Sequence, residues 1–160
     1  IGAFIAADKE IIDYLKYNLR SQMFAKALPM IQTVGSLKRL ELLRNSPEIK
    51  DKLWVNVNAL QNGLKEKGFN IGDTNTCITP VYLEGSIPEA MVMVNDLREN
   101  YGVFASIVVY PVIPKGLIIL RLIPTTTHTL EDVRITIDSF SAIREKLEKG
   151  IYKRIAASMQ

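Results

Sequence analysis

Arg121 stands inside the apolar run LIILRLI, with the turn PKG before it and the loop PTTTHT after it. A guanidinium in such a strand wants an anion, because an unpaired buried charge costs several kcal/mol. Its fork of donors matches a carboxylate in bidentate fashion, so the partner is either a ligand or an Asp or Glu elsewhere in the chain. Local sequence leaves both open. His128 is the single histidine and lies in a threonine-rich loop just before a helix start, where an imidazole more often ties down a loop than acts as a base or ligand. Cys77 has no neighbouring base to lower its pKa and reads as a small core residue. Lys26 and Lys115 occupy short connections where a lysine can meet an anion, although a solvated side chain is the ordinary reading. Neither GxGxxG nor GxxxxGK[ST] occurs, so nucleotide binding by those loops has no support.

The bulk numbers narrow the classes further. A chain of 160 residues suffices for one sizeable domain that hides roughly 70% of its unfolded surface. One cysteine excludes an internal disulfide and a cysteine-based metal cluster, which agrees with a reducing compartment, the cytoplasm by default. The net charge of +3 comes from 20 basic and 17 acidic side chains scattered along helical faces, which gives little support to nucleic-acid binding. No apolar run approaches the about 20 residues that span a bilayer, and the start IGAFIAADKE lacks the shape of a secretory signal. Beginning at Ile1 without methionine, the chain reads as a piece of a longer protein.

The elements that must position Arg121 follow from caps and periodicity. Gly2 to Ala7 reads as a short strand, and Asp8 as the cap of a helix from Lys9 to about Gln22 with Ile11, Leu15 and Leu19 on one side. A second helix runs from Pro29 to Arg44, with Met30, Val34, Leu37 and Leu40 on one face. Ser46 and Pro47 open a third, with a stripe of Ile49, Leu53, Val57, Leu60 and Leu64 and Gly68 at its end. Cys77 to Leu83 reads as a strand whose Pro80 marks an edge or bulge. Ser86 and Glu89 form a capping box for a helix ending at Tyr101 and Gly102. Val103 to Tyr110 reads as a buried strand and Leu117 to Ile123 as another. Thr129 and Asp132 cap the last helix, whose buried face is Val133, Ile137, Phe140 and Leu147 and which stops at Gly150; the tail beyond is left as helix or frayed end.

Taken in order, GAFIAADKEIIDYL, SQMFAKALP, LWVNVNALQNGLKEKGFN and YPVIPKGLIILRLIPTTTHT, followed by an acidic-capped helix, resemble the C-terminal part of the α-oxoamine synthases. These are pyridoxal-phosphate enzymes of aminotransferase fold type I, among them aminoketobutyrate ligase, amino-oxononanoate synthase and serine palmitoyltransferase. The resemblance covers Ile1 to Gly150, and its most specific piece is Pro111 to Thr129. It implies an α/β fold in which residues 46–160 form a small, mostly antiparallel sheet packed on helices. Residues 1–45 would then close a large cofactor-binding domain.

The activity implied is condensation of an amino acid with an acyl-coenzyme A, with decarboxylation, by a cytoplasmic homodimer that uses pyridoxal phosphate. In that family the arginine matching Arg121 holds the substrate carboxylate, which lifts the ligand reading over the internal ion pair. The Schiff-base lysine is expected a few residues before Ile1, so no catalytic residue and no covalent cofactor site is expected in this segment alone. Where many relatives place Ser or Thr against the cofactor phosphate, the loop here reads Ala25, Lys26 and Ala27, which makes Lys26 the candidate phosphate contact. An aminotransferase of the same fold, or a non-catalytic α/β module that binds or dimerises, remains the alternative.

Overall fold

The computed structural model describes residues 3–158. By its own contacts the chain divides into two compact units, Ile1–Pro47 and Glu48–Gln160.

The first unit is helical: α1 is Lys9–Asn18, α2 is Arg20–Met23 and α3 is Met30–Asn45. The single helix expected over residues 9–22 is broken at Leu19, which is extended at φ −82° and ψ 102° and accepts the first backbone bonds of α2. Asn18 prepares that break, since its side-chain amide donates to Tyr14 O at 2.9 Å and so competes with the helix ladder. Asp8 holds the cap position without a side-chain cap bond. The expected N-terminal strand does not form over residues 3–7, because no described strand lies alongside to pair its backbone, and Ile1 and Gly2 fall outside the described residues. No residue of α1–α3 is buried, and Met30, Val34 and Leu37 stay exposed.

In the second unit come α4 (Pro47–Glu66), β1 (Thr79–Glu84), α5 (Ile87–Tyr101), β2 (Ser106–Val108), β3 (Leu117–Leu122), α6 (Leu130–Glu148) and α7 (Ile151–Ser158). The strands form one antiparallel sheet in the order β1-β3-β2, so the arginine-bearing strand is central and Pro80 sits in an edge strand. Both expected capping boxes are made in full, at Ser86 with Glu89 and at Thr129 with Asp132. Gly102 ends α5 at φ 67°, a left-handed cap that a side chain would strain. The described part of the tail after Gly150 is helix α7.

One face of the sheet builds the core. Val81 and Leu83 of β1 and Ile118, Leu120 and Leu122 of β3 join Leu60 and Leu64 of α4, Met93 and Leu97 of α5, Phe140 and Ile143 of α6 and Tyr152 of α7. Gly63 lets α4 approach α6 closely, since a Cβ there would come within 2.3 Å of Ile137 Cδ1. The strand expected over residues 103–110 shrinks to Ser106–Val108 and is an edge, not a buried strand. Its ladder with β3 ends at Val108, and the chain then turns back with Val112 N–H donating to Val109 O. Phe104, expected inside that strand, is 77% exposed. No helix among the described residues is long and apolar enough to cross a membrane.

Candidate functional site

Strand alternation decides where Arg121 goes. Ile118, Leu120 and Leu122 turn to the core, which leaves Leu117, Ile119 and Arg121 on the opposite, open face. Arg121 is exposed, so the cost of burying a guanidinium in an apolar strand never arises. Its neighbours across the ladder are Pro80 on β1 and Ser106 on β2. The Nε–H donates to Ser106 Oγ at 3.0 Å, and among the described residues Arg121 forms no ion pair. Paired arginines lie elsewhere, as Arg134 does with Glu131 and Asp138 on α6. The internal carboxylate partner is thus not what the structure has.

The loop after β3 is tied down at both ends. Asn56, buried on α4, donates its side-chain amide to Thr125 O at 3.0 Å and to His128 O at 2.8 Å. His128 Nδ1 accepts from Thr125 N–H at 2.9 Å, so the neutral ring carries its proton on Nε2. His128 therefore organises its own loop. Thr129 then receives Asp132 Oδ2 at its backbone N–H and hydroxyl, bonds that hold the Asp132 carboxyl below the usual aspartate range. A shallow cavity of about 360 Å³ lies beside this loop, lined by Phe104, Ile123, Pro124, His128, Asp132 and Thr136 among others; Arg121 is not part of its wall.

Sequence reasoning missed Asn56 and Ser106. A signal for Asn56 existed: it adjoins Val57 and lies one turn before Leu60 on the apolar stripe of α4, and a polar side chain there must find buried partners. Ser106 had none, because its role depends on a register between strands distant in sequence.

The remaining candidates carry less. Lys115 Nζ sits 5.0 Å from the centroid of the Tyr110 ring, a cation–π contact on the surface. Cys77 is half-buried and free. Lys26 lies in the other unit, exposed, in the stretch between α2 and α3. Among the described residues no three metal-ligating side chains gather. Pyridoxal phosphate needs several donors around its phosphate and a lysine for its aldehyde. The described residues do not fit that need by themselves, since Lys26 makes no hydrogen bond among them and Lys115 is engaged by Tyr110. What the second unit does present is a single oriented cation on an open sheet face.

No family model matches the chain. Curated proteins and solved structures do. The chain is 35% identical over 147 residues to the 8-amino-7-oxononanoate synthase of Petrotoga mobilis and 31% over 148 residues to the serine palmitoyltransferase of Sphingobacterium spiritivorum, covering 92% of this chain and 37% of each relative. A serine palmitoyltransferase from S. paucimobilis, solved with a bound PLP–myriocin aldimine, superposes with a TM-score of 0.71 at 25% identity over 85% of this chain and 34% of that one. The chain is therefore the counterpart of the C-terminal part of the pyridoxal-phosphate-dependent α-oxoamine synthases. Within that group it is 68% identical over 159 residues to the cysteate-C-fatty acyltransferase of Capnocytophaga ochracea, covering 99% of this chain and 38% of that protein. It spans well under half the length of these relatives.

Proposed function

We propose that the chain is the C-terminal segment of a pyridoxal-phosphate-dependent acyltransferase that joins cysteate to a fatty acyl-coenzyme A, losing the amino acid's carboxylate as carbon dioxide and releasing the free thiol. The observation that carries the choice of amino acid is the 68% identity to a cysteate-C-fatty acyltransferase, about twice the 35% and 31% shared with the synthase and the palmitoyltransferase. Activity belongs to the longer protein that also holds the Schiff-base lysine, acting as a cytoplasmic homodimer.

In this reading the role of Arg121 is to hold the amino-acid carboxylate. Its guanidinium stands on the open face without an internal acid, as a group reserved for a ligand anion would. A two-point clamp would restrict rotation of the substrate about its Cα and so hold the bond to be broken in one orientation; the cofactor, when bound, would supply the electron sink. Lys26 is the proposed contact to the cofactor phosphate, at a site that the described residues do not complete by themselves, and an unchanged cofactor affinity in the full-length Lys26→Ala protein would remove it from the site.

The deciding experiment measures thiol and carbon dioxide release by the full-length protein with cysteate, serine, glycine and alanine, each with a long and a short acyl thioester. Cysteate with the long chain is expected to give the highest kcat/KM. Preference for serine or glycine would overturn the choice of amino acid. No thiol release with any pair would overturn the acyltransferase reading.

A further inference from the structure

An arginine on an exposed strand face is a long, freely rotating side chain, and a clamp made from it works only if something holds the fork in one orientation. The ladder supplies that restraint. Antiparallel register puts Ser106 directly opposite Arg121, and Ser106 Oγ accepts the Nε–H at 3.0 Å. The hydroxyl's own proton is directed to the backbone carbonyl of Arg121 at 3.4 Å. The serine is thus fixed by the backbone of the residue whose side chain it orients, and its lone pairs are left for Nε.

This arrangement has a chemical consequence. A guanidinium can receive a carboxylate side-on, through Nε and one Nη, or end-on, through the two Nη atoms. With Nε–H committed to Ser106, only the end-on edge is offered. We propose that Ser106 is a positioning residue that selects the end-on edge of Arg121 and presents it to the amino-acid carboxylate. The proposal rests on Arg121 being the carboxylate ligand. Ser106 itself touches no substrate atom; it acts through Arg121 alone. Removing it frees the side chain and reopens the side-on mode, so the ordering of one long side chain falls on the binding step.

The test uses steady-state kinetics of the full-length enzyme. Ser106→Ala is expected to raise the KM for the amino acid about three- to tenfold, the cost of ordering one flexible side chain, with the KM for the acyl thioester unmoved. Ser106→Thr, which keeps the hydroxyl on a strand that tolerates β-branching, is expected to restore the wild-type KM, and Ser106→Cys, a weaker acceptor, to fall between. In an Arg121→Lys background, which has no Nε–H, Ser106→Ala is expected to add nothing. An unchanged amino-acid KM in Ser106→Ala alongside a raised one in Arg121→Lys overturns the role of Ser106 and leaves Arg121 in place. An amino-acid KM unmoved by Arg121→Lys overturns the carboxylate reading, and this proposal with it. Equal increases in both KM values, or failure of threonine to rescue, would show a merely structural serine.

Discussion

The two faces of β3 carry alternate residues of one six-residue strand, yet they do opposite work. Ile118, Leu120 and Leu122 are buried among residues from four helices, where each contributes apolar area and tight packing. Leu117, Ile119 and Arg121 face the other way, where one serine is the only described side chain to hydrogen-bond the arginine. Stability is concentrated on one side of the strand, and the recognition proposed for Arg121 falls on the other. The period of two in a strand makes this separation available at no cost in length.

Substitutions on the two faces should therefore separate cleanly in the full-length protein. Leu120→Ala removes a fully buried side chain and is expected to cost about 2–5 kcal/mol, read as a lowered denaturation midpoint. Arg121→Ala, one residue on, is expected to lower kcat/KM for the amino acid by a hundredfold or so, in line with the about 2–5 kcal/mol lost when one partner of a charge pair is removed, while the midpoint stays put. A Leu120→Ala protein of wild-type stability, or an Arg121→Ala protein of wild-type kcat/KM, would break the division.

A smaller effect is expected behind the core face. Burial pushes the Asp96 carboxyl up, but hydrogen bonds from Lys146 at 2.7 Å, Tyr152 at 2.6 Å and Asn100 at 2.6 Å outweigh it and leave it below the usual aspartate range. Burial first and this carboxylate second push the Tyr152 hydroxyl upward. Asp96→Asn is expected to destabilise by about 1–3 kcal/mol at neutral pH. A carboxylate with a depressed pKa contributes stability above the ordinary aspartate value and loses it as pH falls through the folded one. The difference in Tm between wild type and Asp96→Asn should thus be full at pH 7 and close below about pH 4. A gap that stays constant with pH would contradict this account. Smallest of all, Thr129→Ala removes the cap of α6 and is expected to cost about 1 kcal/mol, seen as a modest shift in Tm.

Legibility in the sequence followed the range of the interactions. The capping boxes at Ser86 and Thr129 and the helix end at Gly102 are local, and they form as read. The stripe of α4 is buried at Val57, Leu60 and Leu64 but exposed at Ile49, because a stripe says which face is apolar and not how far along it a partner reaches. VFASIVVYP read as a buried strand because both of its faces are apolar, whereas only Ser106–Val108 pairs, at an edge. The expectation that Arg121 needs an anion rested on its burial in an apolar strand, whereas its position on the open face and its tether to Ser106 depend on pairing between distant strands. The break at Leu19 had no punctuating glycine or proline to announce it.

Asn56 has one more consequence. Its amide spans two carbonyls three residues apart, so it acts as a caliper set to a single length of loop. A deletion or insertion between Thr125 and His128 would leave a buried N–H without its acceptor, a loss of about 1–3 kcal/mol that neither flanking element could relieve by sliding. Loop length behind the arginine is thereby gauged from a helix more than sixty residues earlier in the chain, with both hydrogen bonds joining positions 69 and 72 residues apart.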